Sequence, residues 1–388
     1  MYDIEVLRET EFPLSANQIY FNHAAISPLP RRTMRKVEWA AAQLASRPTA
    51  FFMEEVVPAA ELMRSEIAGW INAAGPEEVV PITTTSAGLG AVARAIPWEE
   101  GDNVLFCELE FPSNAFPWLA LEREGVEVRQ APAMNGGLTL ETLAGLADER
   151  TRLVAASAIQ FFSGQRTNLE AIGAYCRERG IIFVVDAIQA IGHMAFDVQA
   201  MGIDVLATGG QKSLLAMPGT GFLYVKAALA GTLDPYPLGP NASVNFRNWL
   251  EYDLTPQPGA GRFHMGTPNA LGLLSVRESV RLLQELDVAQ IDRHTTALAA
   301  EAIAMLERRG YEVVTPPGHG PIVTFDPRLE DEAADALVNY LALHGVTISK
   351  RWDAAGKPNL RLSLHAYNTP EELHRFEELL GAGVAAGE

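Results

Sequence analysis

Two ionisable residues stand where apolar runs stop. IIFVVDAIQ (181–189) carries five aliphatic or aromatic residues before Asp186, and DVLATGGQK (204–212) ends on Lys212, twenty-six positions later. A carboxylate at the end of a buried strand is costly to desolvate without a positive partner. It equally serves as the N-cap of a following helix, a position aspartate favours. A loop lysine is ordinarily a solvated charge. Here two glycines before Lys212 let the backbone approach a ligand, and the apolar residues after it would desolvate the amine and lower its pKa. Arginine supplies twenty-five of the thirty basic residues, and an amine tuned in this way is suited to losing its proton and forming an imine. A carboxylate that keeps a pyridine nitrogen protonated and an amine that forms an imine are together what pyridoxal 5'-phosphate requires.

Such a cofactor also needs a phosphate cup. ITTTSAGLGAVARAI (82–96) sets the hydroxyls of Thr84, Thr85 and Ser86 ahead of a helical run. A helix N-terminus with free N–H groups and nearby hydroxyls binds a dianion, although the same pattern also makes a capped helix with no ligand. In NLRLSLHAYN (359–368), period-two alternation puts Leu360, Leu362 and Leu364 on one face and Arg361, Ser363 and His365 on the other. An arginine fixed on a strand either grips a carboxylate with two parallel hydrogen bonds or joins a surface ion pair.

These residues require a scaffold that presents strand ends side by side. NVLFCELE (103–110), VEVRQAP (126–132), RLVAASAIQ (152–160), IIFVVDAIQ, DVLATGG (204–210) and GTGFLYV (219–225) alternate with helical patterns such as LEAIGAYCRERG (169–180). Alternation of this kind predicts a mostly parallel sheet covered by helices on both faces. From 228 to 269 the chain turns rich in Pro, Gly and Asn, predicting long functional loops. Two helical patterns (270–286 and about 288–309), strands YEVVT and PIVTFD, a helix at 331–344, strands VTISKR and NLRLSL and a last helix from 370 then make a second α/β unit. We expect a large domain over 15–270 and a small C-terminal domain over 271–388, joined by the segment 1–14. Length supports two units.

The net charge of −18 disfavours nucleic acid and anionic lipid as partners. MYDIEVLRETEF lacks the features of a secretory signal and no apolar run is long enough to span a bilayer, so a cytoplasmic protein is expected. Cys107 and Cys176 are the only cysteines, with no CxxC, which argues for buried packing residues and against a disulfide framework or a metal site.

The motif VVDAIQAIGHMAFDVQAMGIDVLATGGQKSLLAMPGTGFLYVK (184–226), with YFNHAAISPLP (20–30) and RLSLHAYNTPEE (361–372) near the ends, resembles the class V aminotransferases among the fold-type I pyridoxal phosphate enzymes. That group includes cysteine desulfurases, selenocysteine lyases and isopenicillin N epimerase-like proteins. The resemblance implies an α/β fold with a mostly parallel seven-stranded sheet in the large domain. It implies Lys212 as the Schiff-base lysine, Asp186 at the pyridine nitrogen and Gln189 at the phenolic oxygen. Thr85, Ser86 and Ala87 fall at the phosphate together with Thr208 and Gln211, the latter standing where many relatives have histidine. Phe111, in ELEFPSNAFPW (108–118), takes the place of a histidine over the pyridine face; it can stack but cannot carry protons. Gln160, in SAIQFFSG (157–164), corresponds within one position to an asparagine near the phenolic oxygen. Gly266 and Thr267, in GRFHMGTPNA (261–270), correspond to a loop that crosses a homodimer interface. Arg361 corresponds to the α-carboxylate ligand of an amino-acid substrate, and Asn22 and His23 to a loop on the substrate side.

Desulfurases carry a cysteine ahead of the arginine strand. Here DAAGKP (353–358) has none, which disfavours persulfide chemistry. The expectation is an aminotransferase acting on a small amino acid, with a C–S lyase or an epimerase close behind. A non-catalytic cofactor-binding regulator is disfavoured because lysine, aspartate and arginine are all present.

Overall fold

The apolar runs between 103 and 225 become strands of one sheet. The structure is a computed structural model that describes residues 2–235, 239–245, 247–248 and 250–387. Within the 228–269 loops, residues 236–238, 246 and 249 lie outside the described residues. The strands are β1 (Ile19–Tyr20), β2 (Val79–Ile82), β3 (Asn103–Cys107), β4 (Glu127–Ala131), β5 (Thr151–Ser157), β6 (Ile182–Asp186), β7 (Val205–Gly209), β8 (Gly221–Val225), β9 (Glu312–Val313), β10 (Ile322–Asp326), β11 (Val346–Thr347), β12 (Ser349–Trp352) and β13 (Pro358–Ser363).

Seven strands form the large sheet in the order β2-β8-β7-β6-β5-β3-β4. The pairs β3–β4, β3–β5, β5–β6 and β6–β7 are parallel, while β8 runs antiparallel to both β7 and β2. Strand residues alternate between two apolar layers: Phe183 and Val185 join one cluster, Ile182 and Val184 the other. A strand buried on both sides must be apolar at every position, which is why these runs show no polar alternation. The helix Leu169–Arg179 covers one face; Asn168 caps its start by accepting from the Ala171 N–H at 3.1 Å, and Gly180 ends it at φ 67°. That left-handed angle favours glycine.

The second sheet is antiparallel throughout, in the order β12-β13-β10-β9. Leu360 and Leu362 on its covered face pack with Leu298, Leu337 and Phe376 from three helices and with Phe21 from the N-terminal segment. The helix Ala270–Leu286 is placed differently from the boundary read at 270. Its Leu273, Leu274, Val276, Val280 and Leu283 belong to the core of the large sheet, whereas Leu298, Ala302 and Leu306 of the following helix belong to the second core. The run VTISKR is also two strands: β11 pairs with β1, and β12 with β13. The described residues contain no helix long and apolar enough to cross a membrane and no His/Cys/Asp/Glu group that could hold a metal ion.

Candidate active site

Parallel strands deliver their carboxyl ends to one edge of a sheet, and helices cannot cover that edge because the chain must leave there. Asp186 is the last residue of β6, beside Ser157 of β5 and Ala207 of β7. The turn after β7 carries Lys212 to the same edge. Both are buried, at 3% and 8% exposure. Burial pushes the Asp186 carboxyl up to about 6, against the Ile188 N–H that its Oδ1 accepts at 2.9 Å and against the charge of Lys212. Burial likewise pulls the Lys212 amine down to about 8; Asp186 opposes this, while Arg361 and Arg351 reinforce it. Desolvation therefore outweighs the attraction between the two. Among the described residues no hydrogen-bond or ion-pair partner is seen for the amine, which stands 5.1 Å from the centre of the Phe111 ring. Phe161 holds that ring edge-on, centroids 5.1 Å apart.

The helix Thr85–Ala95 begins against this edge. Its Thr85 hydroxyl is buried without a partner among the described residues. A Cβ on Gly209 would lie 2.6 Å from Gln211 Oε1 and 3.4 Å from Thr85 Oγ1, so the bare glycine keeps open a hollow lined by that amide and hydroxyl. Thr208 itself donates to Gly209 O at 3.1 Å, and the Gln211 carbonyl accepts from the Ser27 N–H. Two predicted donors are engaged within the protein. The Ala87 N–H is capped by Thr84 Oγ1 at 3.0 Å, and Ser86 Oγ lies 2.7 Å from Ser113 Oγ. Gly266 and Thr267 line a pocket with Ile82, Thr83, Ala87 and Gly88, and so meet the same helix start. An amine without a partner, a carboxylate at the adjoining strand end, an aromatic face over the amine and a bare hydroxyl beside the glycine hollow fit pyridoxal phosphate. Lys212 would bind it covalently, Asp186 would face its ring nitrogen, and Thr85, Ser86 and Gln211 would face its phosphate.

The two glutamines are turned to protein atoms. Gln189 Nε2 donates to Ala24 O at 3.0 Å, and Gln160 Nε2 donates to Glu110 Oε1 at 2.8 Å, leaving the Gln160 Oε1 bare. Glu110 went unremarked in the sequence although it directly precedes Phe111. Its carboxylate also accepts from the Ser157 N–H at 2.8 Å, Ser157 Oγ at 2.5 Å and Asn114 Nδ2 at 3.0 Å. Burial pushes it up to about 7, opposed by these donors. A charge three residues beyond a buried strand was the available signal.

Arg361 is 1% exposed. Its Nη1 donates to Phe161 O at 2.5 Å, while Nε and Nη2 have no partner among the described residues. Asn22 forms a bridge with Ser363 on β13, with its own Oδ1 unpartnered. His23 points instead into a buried trio: its ring lies 5.1 Å from His365, which lies 4.3 Å from His193. Burial holds all three imidazoles below their usual pKa, His365 at about 4. His365 donates through Nε2 to Ser213 O at 3.0 Å and accepts the Ala366 N–H at Nδ1, which joins β13 to the lysine loop.

The turn between β12 and β13 holds no sulfur. Asp353 Oδ1 closes it by accepting the N–H groups of Ala355 and Lys357. Cys107 and Cys176 are both buried, and burial pushes each thiol up to about 12.

A family model, "Aminotransferase class-V", matches residues 19–376. A probable cysteine desulfurase of Methanothermobacter thermautotrophicus is 29% identical, covering 96% of this chain and 97% of its own length. An uncharacterized aminotransferase of Bacillus subtilis, YcbU, is 29% identical over 84% of each chain. The structure of the apo cysteine desulfurase of Thermococcus onnurineus superposes with a TM-score of 0.88 at 24% identity, covering 100% of this chain and 99% of the other. With its fold and lysine edge in the arrangement described, this chain belongs to the class-V aminotransferase family, whose cofactor is pyridoxal phosphate.

Proposed function

We propose that this protein is an aminotransferase that works at Cα of an amino acid through Lys212. The observation that carries the reading is the amine itself: buried, without a partner among the described residues, lowered to about 8 and flanked by Asp186 and the bare edge of Arg361. The bound cofactor supplies an electron sink for the bond broken at Cα. The residues do the rest. Arg361 holds the α-carboxylate through Nε and Nη2, which fixes the Cα–H toward Lys212. Lys212 Nζ takes that proton as general base and returns it as general acid, roles suited to a pKa near neutrality. Asp186, ionised opposite the ring nitrogen, keeps that nitrogen protonated.

Phe111 favours transamination over elimination. A departing side chain needs a proton from its side of the site, and a phenyl ring has none to give. The sulfur-free turn and the two buried thiols argue against a persulfide carrier. A homodimer is part of the proposal. Leu250, Tyr252 and Leu254 are 92%, 91% and 74% exposed. Tyr252 and Leu254 line a groove that also includes Thr267, and exposed apolar clusters of this kind mark association surfaces.

The test is an amino-acid panel offered to the loaded protein with an α-keto acid acceptor. Stoichiometric exchange of amino and keto groups supports the reading. Sulfide release with no exchange, or inversion of chirality alone, would replace it with a lyase or an epimerase.

A further inference from the structure

Arg351 is left over by the scheme above. It lies on β12 where Ser349 pairs with Arg361 and Arg351 with Asn359, so Ser349, Arg351, Asn359 and Arg361 project from one face of the small sheet. Arg351 and Arg361 are diagonal neighbours, a spacing of about 7–8 Å at the backbone. The intervening Lys350 projects oppositely and pairs with Asp331 and Asp335.

Neither guanidinium has a carboxylate partner among the described residues, although the chain carries eighteen more acidic than basic side chains. Arg351 donates to the Lys350 carbonyl at 2.7 Å through Nη1. The nearby acids are engaged elsewhere: Asp353 closes the turn, Asp331 takes Lys350 and Trp352, and Asp326 takes Lys357. On the same face, opposite Arg361 and two residues from Arg351, buried Ser349 has a hydroxyl without a partner among the described residues. Arg351 is close enough for its charge to be felt at both Lys212 and Arg361. Two like charges side by side without a counter-ion are unfavourable unless a ligand supplies the anion.

Arg361 settles which anion. Its Nη1 is spent on Phe161 O, and the free Nε and Nη2 form a single fork, which one carboxylate fills. A second carboxylate is what remains for Arg351 and Ser349. We infer that Arg351, with the Ser349 hydroxyl, holds the side-chain carboxylate of a dicarboxylic amino acid whose α-carboxylate lies on Arg361. This rests on the reading of the site as an amino-acid site; it adds the substrate class.

The probes are L-aspartate against L-asparagine and L-glutamate against L-glutamine, pairs alike in size and different in charge, with kcat/KM measured on the loaded protein. The wild type should prefer the acid by about 10- to 100-fold, the worth of one charged hydrogen-bonded contact. Arg351→Gln should abolish the preference, Arg351→Lys should keep part of it, and the cofactor's visible band should persist in both, showing intact folding and loading. No preference in the wild type, or equal loss on acid and amide in Arg351→Gln, would overturn the assignment while leaving amino-acid turnover in place. Failure of every amino acid to react would instead remove the functional reading, and this inference with it.

Discussion

Replacing Asp186 by Asn separates two duties proposed for the carboxylate. In the protein without cofactor its negative charge is the one influence holding protons on Lys212; burial and the arginines act the other way. Lowering an amine from 10.5 to about 8 raises its neutral fraction at pH 7 from roughly 0.03% to roughly 9%, about 300-fold. Only the neutral amine condenses with an aldehyde. Condensation of wild-type protein with pyridoxal phosphate, followed by stopped-flow absorbance after the cofactor has been stripped, should therefore accelerate with pH and level off above about 8. In Asp186→Asn the levelling should move to lower pH, so that covalent uptake at neutral pH becomes faster. Turnover should nevertheless fall, by about 100-fold or more, because the ring nitrogen loses the anion proposed to keep it protonated. A wild-type profile still rising near the ordinary lysine pKa would show that the amine is not desolvated. A levelling point displaced upward in Asp186→Asn would refute the electrostatic account.

Arg361→Gln should raise KM for amino acids about 10- to 100-fold while the visible band remains, since a neutral amide replaces the proposed two-pronged charged contact; unchanged KM would remove it from the site. Glu110→Gln sets an NH2 against one of the donors gathered on that carboxylate, at a cost of about 1–3 kcal/mol in denaturant unfolding at alkaline pH; an unmoved midpoint would show the network to be slack. His193→Phe isolates one member of the histidine trio. Its folded pKa is depressed, so the neutral ring's contribution is present above the unfolded pKa of 6.5 and is lost as pH falls below it. The stability difference between wild type and variant should shift against the wild type in mildly acidic buffer, whereas a pH-independent difference would contradict burial of the neutral ring. Leu360→Ala should cost about 2–5 kcal/mol, because it opens a cavity in the core behind Arg361; a loss below 1 kcal/mol would mean that the core collapses around it.

The parts of this molecule legible from sequence are those where one physical demand fixes the residue. Strands such as Ile182–Asp186 are buried on both faces and so read as unbroken apolar runs, and the charges that end them at Asp186 and Lys212 are conspicuous for that reason. Period-two reading also placed Leu360 and Arg361 on opposite faces of β13. Contacts between residues far apart in the chain were less visible. Nothing local tells that Gln189 reaches Ala24 or that His23 meets His365 and His193. The helix Ala270–Leu286 has apolar residues enough for either core, and its packing with the helices Arg31–Ser46 and Val57–Trp70 decides between them. Arg351 was hidden by a strand break: once β12 starts at Ser349, alternation puts it beside Arg361.

Both native thiols are sealed in apolar surroundings and protonated at any physiological pH, so mild oxidants and alkylating reagents should pass this protein by. A cysteine written into the exposed turn at Ala355 would then be the sole sulfur a maleimide could reach. That makes the chain a clean background on which to ask whether a well-placed thiol suffices to turn amine chemistry into sulfur transfer.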